Sequence, residues 1–496
     1  MGKKALAAVA VLAIVAVASF AVYELYAPGG SPGCGAIPGG TEAHLQTSET
    51  QFGAVTEYKI PGADRYPNAI VNGSDGSVWF AEDELPGLGH LFPGNGTVVE
   101  YAWPNYPTPQ PPDCLFSAGV TGIAIWQGRV WGADEYNNAI IGVNPSGGST
   151  LWVNTTSKAD FPYWLAVGPD GDLWFTSDNT PGRLGRIEQN MSVQVFNLAG
   201  IGSDEPLTLQ FVNSSLAFFS TVDLSNYGSS AACICSGHIY SFDPSDLSAT
   251  ISPRVLGPGF NLTLPTDAAF SDGSVWVPQH DGSNVMRFNT ATGTWTAYPT
   301  STVPFVSVTL PLQTAAGDGV IWFNEHYANK IAEIDPAAGT LTEYSESNPP
   351  ASSAEGIQND VSIAVADGGV WFTSLTGNYV GFVNGSYNPG WRVVPGPVDS
   401  VTTAPSVNST LSMEVAGSWQ TPLGVSVSDT ENLNSTPSLI RVIPSVSSVP
   451  AGGTAPFNLA VSIFVGGAVK PGEYTVAVTL TGGLTQESAY FFVRVE

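Results

Sequence analysis

Asp170-Gly171-Asp172-Leu173-Trp174-Phe175-Thr176-Ser177, followed after a six-residue break by Leu184-Gly185-Arg186-Ile187, decides the fold. A Gly-containing turn leads into an aromatic-centred strand, and a second short apolar run follows. The same pattern recurs around Trp79, Trp131, Phe218, Trp276, Trp322 and Trp371, at intervals of 43 to 58 residues. The turns before these anchors read Asp75-Gly76, Gln127-Gly128, Asp272-Gly273, Asp318-Gly319 and Asp367-Gly368. Asp-Gly supplies the positive φ that a two-residue type I′ hairpin needs. The Phe218 unit carries Asn213-Ser214-Ser215 instead and is the most degenerate. Gly and Pro interrupt every helical pattern between the anchors, so each repeat is about four short strands, the size of one propeller blade. Seven blades closed in a ring leave no open sheet edges. Val55-Thr56-Glu57-Tyr58-Lys59-Ile60 looks like a last strand placed before the first repeat, and Trp391-Arg392-Val393-Val394 competes for that closing slot.

The motifs resemble the virginiamycin B lyase (streptogramin lyase) family over about residues 54–397. The best matches are Trp174-Phe175-Thr176-Ser177 with Leu184-Gly185-Arg186-Ile187, and Trp322-Phe323-Asn324-Glu325 with Ala328-Asn329-Lys330-Ile331. Val55-Thr56-Glu57-Tyr58 and Leu341-Thr342-Glu343-Tyr344 are similar to the family's closing strand of each blade. The resemblance implies a seven-bladed β-propeller. It also implies a catalytic His at the start of an inner strand, but the matching positions here are Asn68, Thr121, Tyr163, Leu207, Thr266, Leu312 and Val361. The family's Glu two residues before such a His corresponds to Asn359 in the last repeat, and the Glu after its final anchor to about Leu375. Glu325 aligns with a blade Glu of the family but lacks its partners. Lactone opening by proton abstraction needs a positioned base, which only a relocated His280 or His326 could supply.

After Pro397 the composition turns to Ser, Thr and Val without aromatic anchors. Alternation in Glu473–Leu480 and Ala489–Val495 reads as half-buried strands. Pro471-Gly472-Glu473-Tyr474-Thr475-Val476 is similar to a strand motif of immunoglobulin-like modules on microbial surface proteins. The expected fold is therefore all-β: an N-terminal apolar helix over 1–26, a flexible linker over 27–50, a propeller over 51–397 and an immunoglobulin-like β-sandwich over 398–496.

Lys3 and Lys4 precede an uncharged run from Ala5 to Tyr23. It fits a single transmembrane anchor, a cleaved secretory signal with Ala16-Val17-Ala18 as its site, or a class III signal cut after Lys4-Ala5. All three readings export the chain to the cell surface. Nine N-x-[ST] acceptors suit an exported glycoprotein: Asn72, Asn95, Asn154, Asn190, Asn213, Asn261, Asn384, Asn408 and Asn434. Cys34, Cys114, Cys233 and Cys235 form an even set for an oxidising compartment. A bridge between Cys233 and Cys235 would close a strained ring, which favours each pairing with Cys34 or Cys114. A zinc site would have only His238 nearby to help complete it. With 42 acidic against 15 basic side chains, a formal charge of -27 argues against nucleic acid and anionic lipid.

Blade geometry directs attention to the residues three positions beyond each anchor, Glu82, Asp134, Ser177, Thr221, Gln279, Glu325 and Ser374, all polar. They are expected to ring one mouth of the central channel, with Asp178, His280, Asp281 and His326 just beyond. Glu82, Asp134, Asp178, Gln279 and Glu325 are the candidate ligand contacts. Glu82, Asp134 and Glu325 are candidate ligands for Mg²⁺ or Ca²⁺, and Glu325, His326 and His280 are the catalytic candidates. Tyr136, Tyr163, Trp164 and Tyr327 could stack on a flat ligand. The expected role is binding a cell-envelope protein, a glycan or a small ligand. The alternatives are a metal-dependent lyase or hydrolase and a surface-filament subunit.

Overall fold

The computed structural model describes residues 42–496 except 63–64, 84–86, 104–119, 136, 156–160, 179–180, 224–235, 259–261, 281, 301–308, 347–357, 396–399, 404–407, 430–439, 454–455 and 468. The N-terminal apolar run, the four cysteines, Tyr136, Asp281, Asn261 and Asn434 lie outside the described residues, which are all-β and contain no helix.

The repeat read in the sequence folds as successive antiparallel strands. Around Trp174 the order is Pro162–Val167, Leu173–Ser177, Arg183–Ile187 and Val193–Leu198, each paired with the next. The first strands of successive groups then lie side by side. Pro67–Asn72 touches Val120–Trp126, which touches Pro162–Val167 and, through it, Asp204–Asn213. Further on, Pro311–Gly317 touches Asp360–Ala366, which returns to Pro67–Asn72 and closes the circuit. Side chains two residues beyond the anchors stitch neighbours together. Thr176 Oγ1 donates to Leu207 O at 2.6 Å, Ser220 Oγ to Thr266 O at 3.2 Å, and Thr373 Oγ1 to Asn68 O.

The closing slot goes to the N-terminal segment. Val55–Lys59 pairs antiparallel with Tyr379–Asn384, so the last sheet joins strands from both ends of the repeat region. Trp391–Pro395, its rival, pairs with Asn408–Gly417 in a separate sheet. Trp391 is 4% exposed in a core shared with Val415, Leu459, Val478 and Phe491. The C-terminal unit therefore begins at Trp391 rather than after Pro397, because the indole finds its apolar surroundings there. It is two sheets enclosing one core. Its final strand, Thr485–Val495, pairs antiparallel with Thr340–Ser345, so one sheet runs through both units.

The expected linker also differs. Glu42–Gln46 pairs with Thr97–Ala102, and Ser48–Phe52 forms a hairpin with Val55–Lys59. Ser48–Gln51 is exposed, so its polar composition marks an edge strand and only imitates a linker. The turns are corrected too. Gln127-Gly128, Asp272-Gly273 and Asp318-Gly319 have positive φ at both positions, as type I′ requires. At Asp75-Gly76 and Asp170-Gly171 only Gly is positive, and the Asp Oδ1 accepts the N–H of Ser77 or Asp172. A side-chain turn replaces the mirror-image turn there.

In three of the repeats, those of Trp79, Trp174 and Trp371, a further constraint is steric. Opposite the aromatic residue after the anchor sits a glycine: a Cβ on Gly185 would stand 2.0 Å from the Phe175 ring, and one on Gly381 2.2 Å from Phe372. Gly185→Ala forces a buried ring aside and is expected to cost about 1–3 kcal/mol, measured as a lower midpoint in urea unfolding.

Candidate functional site

All seven residues three beyond the anchors are buried, with Glu82, Asp134, Ser177, Thr221, Gln279, Glu325 and Ser374 showing no exposed surface. They bond to neighbouring protein groups, Gln279 across to the preceding sheet. Gln279 Oε1 accepts from Thr263 N and Oγ1 at 2.6 Å, and Asp134 accepts from Asn137. Thr221 Oγ1 donates to Asp204 at 2.8 Å, and Ser374 Oγ to Gln358 O at 3.1 Å. Glu82 faces Glu100 and Arg65, and burial beside Glu100 raises its pKa well above the usual range. Glu325 faces Glu343 and lies 3.8 Å from Lys330 Nζ. Glu82, Asp134 and Glu325 thus have different surroundings. Among the described residues, no group of three His, Cys, Asp or Glu side chains could hold a metal ion. Among the described residues, Glu82, Asp134 and Glu325, the candidate ligands for Mg²⁺ or Ca²⁺, do not come together as one ligand set.

The residues one position further on interact across repeats. Asp83, Glu135 and Asp178, from consecutive repeats, are buried; Asp134, Asp83 and Glu205 act on Glu135, and Glu135 and Glu205 act on Asp178. Burial, and then the neighbouring carboxyls, raise the pKa of Glu135 and of Asp178 well above the usual carboxylate range. Asp178 and Glu205 are within hydrogen-bonding reach, a contact that exists only when one of them holds a proton. Glu325 with Glu343, and Glu346 with Asp360, form two more such pairs. His280 and His326 also stand together, ring centroids 5.8 Å apart. Burial and the His280 ring hold His326 down to about 3, so its imidazole is neutral, and its Nδ1 lies 3.1 Å from Asp360 O.

At the inner-strand openings lies a cavity of about 60 Å³. Its lining includes Asn68, Thr121, Tyr163, Thr266, Leu312 and Val361, the openings of inner strands from different repeats, which therefore surround one axis. Asn68 Nδ2 approaches Asp83 at 3.3 Å, linking the cavity to the acidic cluster. Of the aromatic candidates, Tyr163 and Trp164 line this cavity, while Tyr327 packs by His326 with centroids 6.2 Å apart. Sequence reading passed over Glu205, Asp267, Glu343, Glu346 and Asp360. Glu205 precedes Leu207 by two residues, so comparing that position in every repeat would have found it. Glu343 and Glu346 lie at the outer end of a closing strand, where sequence marks no channel.

No family model and no curated protein matches the chain. Solved structures do. A catalytically inactive variant of virginiamycin B lyase from Staphylococcus aureus, with quinupristin, is 20% identical, covering 66% of this chain and 98% of its own, with a TM-score of 0.52. The selenomethionine form of that enzyme gives 20% identity, 66% and 98% coverage and a TM-score of 0.50. A streptogramin B lyase structure gives 21%, 66% and 97%, with a TM-score of 0.49. The chain has the β-propeller fold of these proteins; at this identity the likeness is one of fold.

Proposed function

We propose that the chain is an exported surface protein in which a seven-bladed propeller, fused to an immunoglobulin-like module and carried by the N-terminal segment, binds a ligand at its axial mouth. The observation that carries this reading is the axial site itself: a cavity lined by inner-strand openings of different repeats, whose Asn68 approaches the buried Asp83 carboxyl and whose Tyr163 feels the buried carboxyls of Asp178 and Glu135. Such convergent polar groups at a concave site are a binding signature. A cell-envelope protein or glycan is the partner that an exported chain would meet. Turnover of the lyase kind has less support. No inner-strand opening carries a His, and a His326 held to about 3 is a weak base near neutrality. N-glycans fit this reading at Asn95, Asn190, Asn213 and Asn384, which are exposed. Asn72 fits less well, because its Nδ2 already donates to Val365 O.

Cosedimentation of the full-length chain with isolated cell envelopes tests the reading. Val361→Phe, which fills the cavity, should reduce binding by about tenfold or more while the cooperative melt persists. Trp152→Ala, on the outermost strand of its sheet, should leave binding unchanged. Equal retention of the wild type and Val361→Phe would reject the axial mouth as the binding site.

A further inference from the structure

At the other end of the same inner strands lies a larger cleft of about 540 Å³. Asn68 and Val361 line the axial cavity, whereas Asn72 and Val365 line this cleft, about 13 Å further along their strands. The cleft sits among the inner-hairpin turns of three repeats, with Ser74, Asp318 and Asp367 exposed. Its apolar wall is Trp371 with Phe382, cross-strand partners whose ring centroids are 4.8 Å apart. Phe382 is only partly buried. Asn72 supplies an oriented polar group. Its Nδ2 donates to Val365 O, while its Oδ1 is buried without a hydrogen-bond partner. A buried acceptor in that state gains from any ligand that brings a donor.

The lining also says what the ligand is not. No Lys, Arg or His lines the cleft, so a phosphate or carboxylate finds no counter-charge there. Asp318, Asp367 and Asn72 Oδ1 are acceptors, and the rings offer a flat apolar surface. A pyranose answers both demands, with O–H donors around its edge and C–H bonds over its face. The volume lies within the range of small-molecule clefts, about 300–1,000 Å³, and admits about one or two sugar rings.

We propose that this turn-face cleft binds a neutral pyranose unit of a glycan, its C–H face on Phe382 and Trp371 and its hydroxyls on Asn72 and Asp367. The site is separate from the axial mouth and stands without it. The bond that commits Asn72 Nδ2 to Val365 O leaves this asparagine for recognition rather than for carrying a glycan.

Saturation-transfer NMR on the full-length chain tests the proposal. The probes are the methyl glycosides of glucose, galactose and mannose, with methyl glucuronoside and choline chloride as controls. At least one neutral glycoside should bind saturably, with the strongest transfer to its ring C–H protons. Sodium chloride at about 0.5 M should not weaken it, because no ion pair is involved. The glucuronoside should bind about tenfold more weakly or less, its carboxylate facing two aspartates. Asn72→Ala should weaken the glycoside about tenfold. Phe382→Leu, which removes the ring and keeps an apolar side chain, should weaken it about fivefold. If either variant fails to fold, Asp367→Ala, on an exposed turn, should weaken it about fivefold as well. Trp152→Ala should leave the affinity unchanged. Absence of saturable binding by all three glycosides would overturn the proposal. So would an affinity indifferent to both Asn72→Ala and Asp367→Ala, or displacement of the glycoside by choline, which would make the cleft a cation site.

Discussion

Acidification from pH 8 to pH 5 is expected to raise the melting temperature of the full-length chain, by on the order of 10 °C. Burial pushes Glu57, Glu333, Glu487 and Asp360 to about 7 and Asp267 to about 6, and holds Glu82, Glu135, Asp178, Glu325 and Glu346 well above the usual range. A carboxyl raised in the folded state contributes stability that is fully present below its unfolded pKa, about 4, and is lost as pH rises through its folded value. For the first four groups the loss is therefore centred between about pH 4 and pH 7, and for the higher group it extends beyond. Two histidines oppose the trend. His90 is held at about 4 and His326 at about 3, chiefly by burial, so each costs stability as pH falls below about 6.5. Two groups do not outweigh the carboxyls, and protonation also relieves the repulsion of a chain with formal charge -27. The pairs Asp178–Glu205, Glu325–Glu343 and Glu346–Asp360 make the effect separable. Combining Asp178→Asn, Glu325→Gln and Glu346→Gln should flatten the pH profile by supplying a permanent N–H donor in each pair. Scanning calorimetry of both proteins from pH 4 to pH 8 reads the result. A melting temperature that climbs towards pH 8 would contradict the account.

Trp174→Ala should cost about 3–5 kcal/mol, among the largest single losses in the chain. The indole is wholly buried, stacks on Phe196 at 5.3 Å, meets Phe211 edge-on at 5.5 Å and is covered by the Arg186 guanidinium at 5.4 Å. Its Nε1 also donates to Asp170 in the preceding turn at 3.2 Å. Truncation opens a cavity between two sheets and frees that turn. Trp174→Phe should recover most of the packing without the turn contact. Urea unfolding of the two variants separates the contributions, and a loss below about 1 kcal/mol for Trp174→Ala would mean that the anchors do not organise the sheets.

The repeat was legible because each unit makes the same local choices. A turn, an anchor and a small residue opposite the next aromatic ring recur at Trp174 and Trp371, where Gly185 and Gly381 make room. The closing strand was half legible: Val55–Lys59 has the right pattern, but so does Trp391–Pro395, and only the apolar environment of Trp391 in the C-terminal core separates them. The site was partly legible: Asp178, His280 and His326 were singled out, whereas Asp83 and Glu135 at the same position of their repeats were not. Spacing placed Glu82, Asp134 and Glu325 at the channel, yet alternation along a strand turns neighbouring side chains to opposite sides. Asp83 and Glu135 consequently act on each other across repeats, as do Glu135 and Asp178, while the residues before them bond to nearby protein groups. Glu205 entered from a repeat too degenerate to draw attention.

The central claim, binding at the axial mouth without turnover, is tested most directly by offering the full-length chain the ligand held by its structural neighbour. Quinupristin would be incubated with the protein in Mg²⁺-containing buffer from pH 5 to pH 8, and its lactone followed by mass spectrometry. The account predicts an intact lactone at every pH. Opening of the ring, abolished by His326→Ala or His280→Ala, would contradict it and establish a relocated base.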